Sequence, residues 1–164
     1  MPRYTEEAVV LRAVNYKDTD RIYTLFTKDR GKISASARGV RKISSRRGGN
    51  LDTLNHIKVG ITEGDTKKYR IITEVETINP YKDLKNSLSN SVKGFYIAEL
   101  VYKLVDEGQK SIPIFNLLVD SLNKLDAHLN NEVSMVNAFE IKLMELLGYE
   151  LYLDRCAKTD KPYN

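Results

Sequence analysis

The sequence predicts an α+β protein in which a small five-stranded β-barrel precedes an all-α helical domain. Up to about Pro80, apolar and polar residues alternate with the period of a β-strand. Turn residues divide that region into five short runs, and after Asn79-Pro80 the apolar spacing becomes helical. A closed barrel leaves few strand edges unpaired, which favours this arrangement for short strands. We therefore expect one domain over residues 1–79 and a second over residues 80–164.

The first three predicted strands cover residues 6–11, 21–27 and 32–38. The third alternates most cleanly, with Ile33, Ala35 and Ala37 on one face and polar side chains on the other. The segment Asp29-Arg30-Gly31 is typical of a hairpin connection, because glycine adopts positive φ readily.

The fourth and fifth predicted strands cover residues 51–61 and 69–75, separated by a turn at Glu63-Gly64-Asp65. In the fourth, the alternation places His56 on the polar face beside Lys58. The connection over residues 39–50 contains three glycines and no apolar periodicity, and it is predicted to be a mobile, solvent-exposed loop.

Four helices are predicted in the second half of the chain. Residues 81–88 form a short one, and residues 91–106 are apolar around more than half of the circumference, which indicates the central helix. The next begins at residues 111–113, where Pro113 is tolerated in the first turn. The last covers residues 133–147 and ends before Gly148.

The charge distribution is uneven. The net charge is +4, but residues 1–80 carry +6 and residues 81–164 carry −2. Residues 28–47 contain eight basic side chains and one acidic one, Asp29. Such a local excess is typical of a surface that binds a polyanion, although a solvated basic loop is the alternative.

The basic residues continue from the polar face of the third strand into the following loop, and this pattern predicts a nucleic-acid interface. Lysine and arginine neutralise phosphates, and serine hydroxyls donate to phosphate oxygens. The candidate DNA-binding residues are Lys32, Ser34, Arg38, Arg41, Lys42, Arg46 and Arg47. Tyr23 and Tyr69, which we place on neighbouring strands, are candidates for base stacking, with ordinary packing as the alternative for each.

No set of residues points to catalysis, a metal or a cofactor. Asp18 and Asp20 suit a turn better than a metal-dependent nuclease, which needs several converging carboxylates. The single cysteine, Cys156, excludes an intramolecular disulfide and a four-cysteine zinc site. The longest uncharged apolar run has about nine residues, whereas a membrane span takes roughly 20. We therefore expect a soluble, intracellular, non-enzymatic protein.

Several motifs follow one another along the chain: EAVVLR at residues 7–12, YKDTDR at 16–21, TLFT at 24–27, GKIS at 31–34, ARGVRK at 37–42 and LLGY at 146–149. This series resembles RecO, the bacterial recombination-mediator family. The resemblance implies an OB-fold for the barrel and a cytoplasmic, nucleoid-associated role in recombinational DNA repair. It also implies binding to single- and double-stranded DNA, annealing of complementary strands, and DNA contacts at Arg38, Arg41, Lys42 and Arg46.

The implied protein partners are RecR, the acidic tail of single-strand binding protein and, indirectly, RecA. Two features depart from the family pattern. Thr159 stands where the second cysteine of the family's zinc ribbon would lie, and the sequence ends at Asn164, where family members continue. The resemblance therefore does not extend to zinc binding.

Two other functions stay open from the sequence alone. In the first, the protein is a non-enzymatic adaptor whose acidic helical half recruits repair partners while the barrel acts as a spacer. In the second, Asp18 and Asp20 take part in a metal-dependent nuclease.

Overall fold

A computed structural model describes residues 2–42, 45, 47–64, 69–128, 132–149, 154–156 and 158–162. The strands are β1 (Arg3–Tyr16), β2 (Asp20–Thr27), β3 (Gly31–Ala37), β4 (His56–Glu63) and β5 (Arg70–Asn79). The helices are α1 (Arg47–Asn50), α2 (Lys82–Asn86), α3 (Leu88–Leu104), α4 (Ile112–Asp126) and α5 (Glu132–Leu146). The predicted α+β fold, with a barrel followed by helices, is confirmed.

The five strands close into a barrel in the order β1-β2-β3-β5-β4. Neighbouring strands are antiparallel except β3 and β5, which meet in parallel at Ser36 and Ile71. This topology is that of an OB-fold. The hairpin predicted at Asp29-Arg30-Gly31 joins β2 to β3, and Gly31 has a φ of 70°.

Two predicted elements differ in extent from the observed ones. Strand β1 runs to Tyr16, well past the predicted end at residue 11. Strand β4 begins at His56 instead of residue 51, because Leu51 and Leu54 are buried in a turn where Leu54 has a φ of 73°. The predicted loop over residues 39–50 contains the single-turn helix α1 and the buried side chain of Val40.

Hydrophobic residues form two clusters. One fills the barrel and includes Val10, Tyr23 and Leu25. The other lies between the barrel and the helices and joins Val9, Leu11 and Phe26 to the buried faces of α3, α4 and α5. The barrel and the helices therefore share a core. The domain boundary between residues 79 and 80 stays a prediction, although β5 ends at Asn79 and α2 begins at Lys82.

The segment between α3 and α4 lies against the start of β3. The backbone N–H of Gly108 donates to the carbonyl of Lys32 at 2.8 Å, and Glu107 forms a parallel bridge with Lys32. Nearby, Phe115 of α4 packs against Phe26, with ring centroids 6.2 Å apart.

The helical domain also covers His56, which the strand pattern placed on a polar face. His56 does lie on the outer face of β4 with Lys58, because Ile57 and Val59 fill the barrel, but its ring packs edge-to-face with Phe115 and only 7% of the residue is exposed. Its Nε2 lies 2.8 Å from Oε1 of Glu7. Within the part of the chain that the structure describes, no helix is long and apolar enough to cross a membrane.

Candidate nucleic-acid interface

Three neighbouring strands, β1, β2 and β3, form one side of the outer face of the barrel. The register pairs Arg12 with Thr24 and Thr24 with Ser34, so these side chains form a row across β1, β2 and β3. Inward-facing Ala35 and Ala37 are buried, and Arg38 follows the end of β3 and is exposed. The polar face predicted for the third strand is therefore solvent-accessible.

A shallow groove crosses this face at the C-terminal end of β3. It has a volume of about 390 Å³, and we call it the basic groove. Its lining includes the cations Lys17, Arg38 and Arg70, the rings of Tyr16 and Tyr69, and one carboxylate, Asp20. Tyr16 and Tyr69 are 47% and 46% exposed, so both rings are available for stacking.

Arg38 and Tyr69 act as a pair. The guanidinium Nη2 donates to the Tyr69 hydroxyl at 2.7 Å, and this hydrogen bond raises the pKa of Arg38. Arginine offers five donors in a planar fork, so most of them stay available for a phosphate.

The loop after β3 folds back towards the turn between β1 and β2. Arg41 donates from Nη1 to the carbonyl oxygens of Lys17 at 3.4 Å and Asp18 at 3.0 Å. Its backbone N–H donates to the carbonyl of Thr19 at 3.0 Å, and the neighbouring Lys42 is exposed. These contacts bring Arg41 beside Lys17, which lines the basic groove.

Asp20 holds the same turn. Its Oδ1 accepts from the backbone N–H of Gly39 at 2.8 Å and from the Thr19 hydroxyl at 3.2 Å. The hydrogen bond from Gly39, supported by the one from Thr19, lowers the pKa of Asp20. Asp20 therefore fixes the path of the basic loop through Gly39, a residue far from it in sequence, whereas the turn interpretation expected local backbone donors.

Arg47 has a different environment from the other basic residues. It is half-buried, and its guanidinium donates to the carbonyl oxygens of Ile72 at 3.1 Å and Arg38 at 2.9 Å. It therefore ties α1 to β5 and to the end of β3, while its positive charge stays close to the groove.

Lys32 lies at the other end of β3, roughly 20 Å from Arg38 along an extended strand. Its Nζ donates to the carbonyl of Tyr102 in α3 at 2.5 Å. The structure thus brings Arg38, Arg41 and Lys42 together, but it does not place Lys32 with them. Arg46 falls outside the described residues.

Tyr23 does not lie on the interface. It is fully buried inside the barrel, and burial raises the pKa of its hydroxyl. A base on the outer face of the barrel has no access to it, so the stacking role predicted for Tyr23 is wrong. Tyr69 precedes β5, whose neighbours are β3 and β4, so the two tyrosines are not on adjacent strands.

The sequence-based prediction missed three residues of this face: Arg12, Val14 and Tyr16. Arg12 and Tyr16 are exposed and lie opposite Thr24 and Asp20 of β2. The signal was present, because Arg12, Val14 and Tyr16 continue the alternation of β1 beyond residue 11.

Apart from Arg70, the cations on this face form no ion pairs among the described residues. The carboxylate of Asp20 nevertheless lines the groove near Lys17 and Arg38. In the described part of the chain, none of Arg12, Lys17, Lys32, Arg38, Arg41, Lys42 and Arg47 forms an ion pair with a carboxylate. Among these residues the charge is therefore available to an external anion. No group of three or more potential metal ligands occurs among the described residues.

Thr159, the residue at the second cysteine position, lies next to Cys156. A hydrogen bond from the Thr159 side chain, with further ones from the backbone of Lys158 and Thr159, lowers the pKa of the Cys156 thiol. A threonine hydroxyl does not supply the thiolate that structural zinc sites use.

Two family models match almost the whole chain. The one described as "Recombination protein O N terminal" matches residues 1–81, and the one described as "Recombination protein O C terminal" matches residues 86–164. The chain belongs to the RecO family.

Curated relatives are similar along the same length. Proteins named "DNA repair protein RecO" from Dehalococcoides mccartyi (strain BAV1) and Thermoanaerobacter sp. (strain X514) are 33% and 34% identical over 158 residues, 96% of this chain. One from Geobacter sulfurreducens is 37% identical over 153 residues, 92% of this chain. The chain spans 61%, 63% and 61% of these three relatives, respectively.

Proposed function

We propose that this RecO-family chain is a non-enzymatic, DNA-binding mediator of recombinational repair. In this function it binds single-stranded DNA through the basic groove and anneals complementary strands. It also binds double-stranded DNA, and with RecR it assists RecA to load onto DNA that is covered by single-strand binding protein, whose C-terminal tail it contacts. This work takes place at the nucleoid in the cytoplasm.

One observation carries the proposal. Arg38, Arg41 and Lys42 lie together without carboxylate partners, beside the exposed rings of Tyr16 and Tyr69. Cations that follow a backbone and aromatic rings that stack bases are the two components by which OB-folds hold single strands without sequence preference.

The same arrangement suits annealing. Cations reduce the repulsion between two phosphate backbones, and no hydrolysis is needed. Because the groove is shallow and open, a strand held by its phosphates leaves its pairing edges accessible to a complementary strand.

The binding test measures the anisotropy of a fluorescent single-stranded oligonucleotide at several salt concentrations. With about five cations in contact, the plot of log K against log salt has a slope of −3 to −4. The triple variant Arg38→Gln, Arg41→Gln, Lys42→Gln reduces the magnitude of that slope by about 2 and weakens binding to all sequences alike.

A charge-matched control removes three exposed lysines of the helices instead, with Lys82→Gln, Lys124→Gln and Lys142→Gln. The control retains wild-type affinity if the basic groove is the interface. Equal losses in the two triple variants would show that binding depends only on net charge and would refute the assignment.

The annealing test mixes complementary oligonucleotides with and without single-strand binding protein. The wild type accelerates duplex formation in both mixtures, and the groove variant does not. If the groove variant still captures RecR and single-strand binding protein in nuclease-treated mixtures, while the wild type fails to anneal, the adaptor function is favoured instead.

A further inference from the structure

The basic groove adjoins two further depressions that lead onto the helical domain. Its lining includes Ser34, which also lines a second depression of about 360 Å³. The second contains Tyr102 and Lys103 of α3, and both of these also line a third depression of about 290 Å³. The surface path therefore runs from Tyr69 across β3 and β2 to α3.

We infer that the bound strand continues along this path, so that the junction of the barrel with α3 forms a second half of the single-strand site. We call this half the junction groove and define it by Arg12, Lys32, Phe95 and Tyr102. The inference rests on the proposed function of the basic groove, and it assigns nucleic-acid contacts to the helical domain.

Tyr102 is half-buried against the core, and two cations lie over its ring. Arg12 donates from Nη1 to the Tyr102 hydroxyl at 3.1 Å, and its guanidinium carbon lies 5.2 Å from the ring centroid. Lys32 Nζ also lies 5.2 Å from that centroid while it donates to the Tyr102 carbonyl. Tyr102 thus holds both cations in place before any ligand arrives, which reduces the entropy lost when they bind phosphates.

Both cations keep donors for phosphates. Lysine has three N–H donors and arginine has five, and the structure gives each of Lys32 and Arg12 one hydrogen bond. Neither forms an ion pair with a carboxylate in the described residues. An anionic backbone therefore gains two charge contacts here without displacing an acidic side chain.

The acidic residues at the junction already have basic neighbours. Glu99 pairs with Lys103 at 2.9 Å, and Glu107 lies 3.8 Å from Arg70. Arg70 also pairs with Glu63, so Glu107 is only partly compensated. Arg12 and Lys32, by contrast, are the cations of the junction groove that form no ion pair among the described residues. Beyond them lies Phe95, which is 48% exposed and offers a second aromatic surface.

Alternating aromatic and cationic groups favour a single strand over an acidic peptide as the occupant. Tyr16 and Tyr69 at one end, and Phe95 at the other, provide exposed stacking surfaces that a peptide of carboxylates does not use. The two ends are separated by roughly 20 Å of extended strand, within the span of an OB-fold site of about 4–16 nucleotides.

The experiment compares oligothymidylates of about six and about fifteen nucleotides. The short one fits on the basic groove, and the long one reaches the junction groove. Tyr102→Leu removes the ring but keeps an apolar side chain, and Arg12→Gln removes an exposed charge. Each variant weakens binding of the long oligonucleotide by about tenfold and leaves binding of the short one unchanged.

Val92→Ser is the matched control, because Val92 is exposed on the same helix and lies outside all three depressions. It retains wild-type affinity for both lengths. Phe95→Ser changes an exposed side chain and does not disturb the packing of the core. It weakens binding of the long oligonucleotide only. Thermal unfolding of every variant confirms that the chain is folded.

The possible failures are distinguishable. If Arg38→Gln weakens both lengths while Tyr102→Leu, Arg12→Gln and Phe95→Ser change neither, the strand stays on the barrel and only this inference is overturned. If the wild type binds neither length, the proposed function itself fails. A third outcome would assign the junction groove to an acidic peptide and overturn the inference. In it, polyglutamate competes with the oligonucleotide on the wild type but not on Arg12→Gln, and Arg12→Gln binds the long oligonucleotide as the wild type does.

Discussion

Replacing Gly31 by alanine tests the contact that joins the barrel to the helical domain. Gly31 has a φ of 70°, and a Cβ built on it would lie 2.9 Å from the backbone N of Lys110 and still closer to the carbonyl oxygen of Gln109. Both neighbours are backbone atoms, so neither moves aside as a flexible side chain would. The Gly108–Lys32 backbone hydrogen bond lies beside this contact.

The expected cost has two parts. A left-handed conformation costs an L-residue about 1–2 kcal/mol, and overpacking adds about 1–3 kcal/mol. The free energy of unfolding therefore falls by roughly 2–5 kcal/mol. For a chain of this length, the midpoint of thermal unfolding decreases by roughly 5–15 °C.

Gly108→Ala is the matched control for Gly31→Ala. Gly108 has a φ of 75°, but a Cβ there would meet no atom within 4 Å. Only the conformational part applies, about 1–2 kcal/mol. Urea and thermal unfolding, followed by far-UV circular dichroism, measure both variants. If Gly31→Ala is no more destabilising than Gly108→Ala, the close approach of the α3–α4 segment to β3 is refuted.

Three further predictions concern single side chains. Tyr16→Ser weakens single-strand binding by a factor of about 5 to 150, because a stacked base is worth about 1–3 kcal/mol, and anisotropy measures the loss. Asp20→Asn destabilises the fold at neutral pH. Hydrogen bonds lower the pKa of Asp20 in the folded state, so the Asp20 carboxylate stabilises the fold above its unfolded pKa of about 3.9. This stabilisation is lost as the pH falls through the folded pKa. The unfolding free energies of wild type and Asp20→Asn therefore converge in acid. Thr159→Val slows alkylation of Cys156 by iodoacetamide at about pH 8, because loss of the hydrogen bond raises the thiol pKa and reduces the thiolate fraction.

Each of these has an outcome that contradicts it. Tyr149 is 62% exposed and does not line the basic groove, and an equal loss of affinity in Tyr149→Ser would show that the loss in Tyr16→Ser is not specific to the groove. A constant difference in unfolding free energy between wild type and Asp20→Asn from neutral to acidic pH would show that the Asp20 carboxylate is not linked to folding. Unchanged alkylation kinetics in Thr159→Val would show that its hydroxyl does not stabilise the thiolate.

Local pattern was sufficient for much of the fold. The alternation in β3, the hairpin at Gly31 and the helical stripes depend on neighbouring residues, because backbone geometry sets periods of two and about 3.6. The basic cluster was also visible, because Arg38, Arg41 and Lys42 are close in sequence and in space.

The identity of the stacking tyrosine depended on more than the local pattern. Tyr23 points into the barrel and Tyr16 points outward, although both belong to strands rich in apolar residues. The helical domain covers part of the outer face of β1 and β2, so Val9 and Phe26 are buried there and the alternation that marks an outer face is lost. The phase of β2 is therefore ambiguous in the sequence.

What the amino-acid order alone determined is the strand and helix content, the unequal charge of the two halves and the basic segment after β3. Only the tertiary structure decided which side chains contact one another. Lys32 contacts Tyr102 of α3, His56 packs against Phe115, and Tyr69 accepts a hydrogen bond from Arg38. The physical reason is that barrel closure and helix docking join residues far apart in the chain, and no local period encodes those contacts.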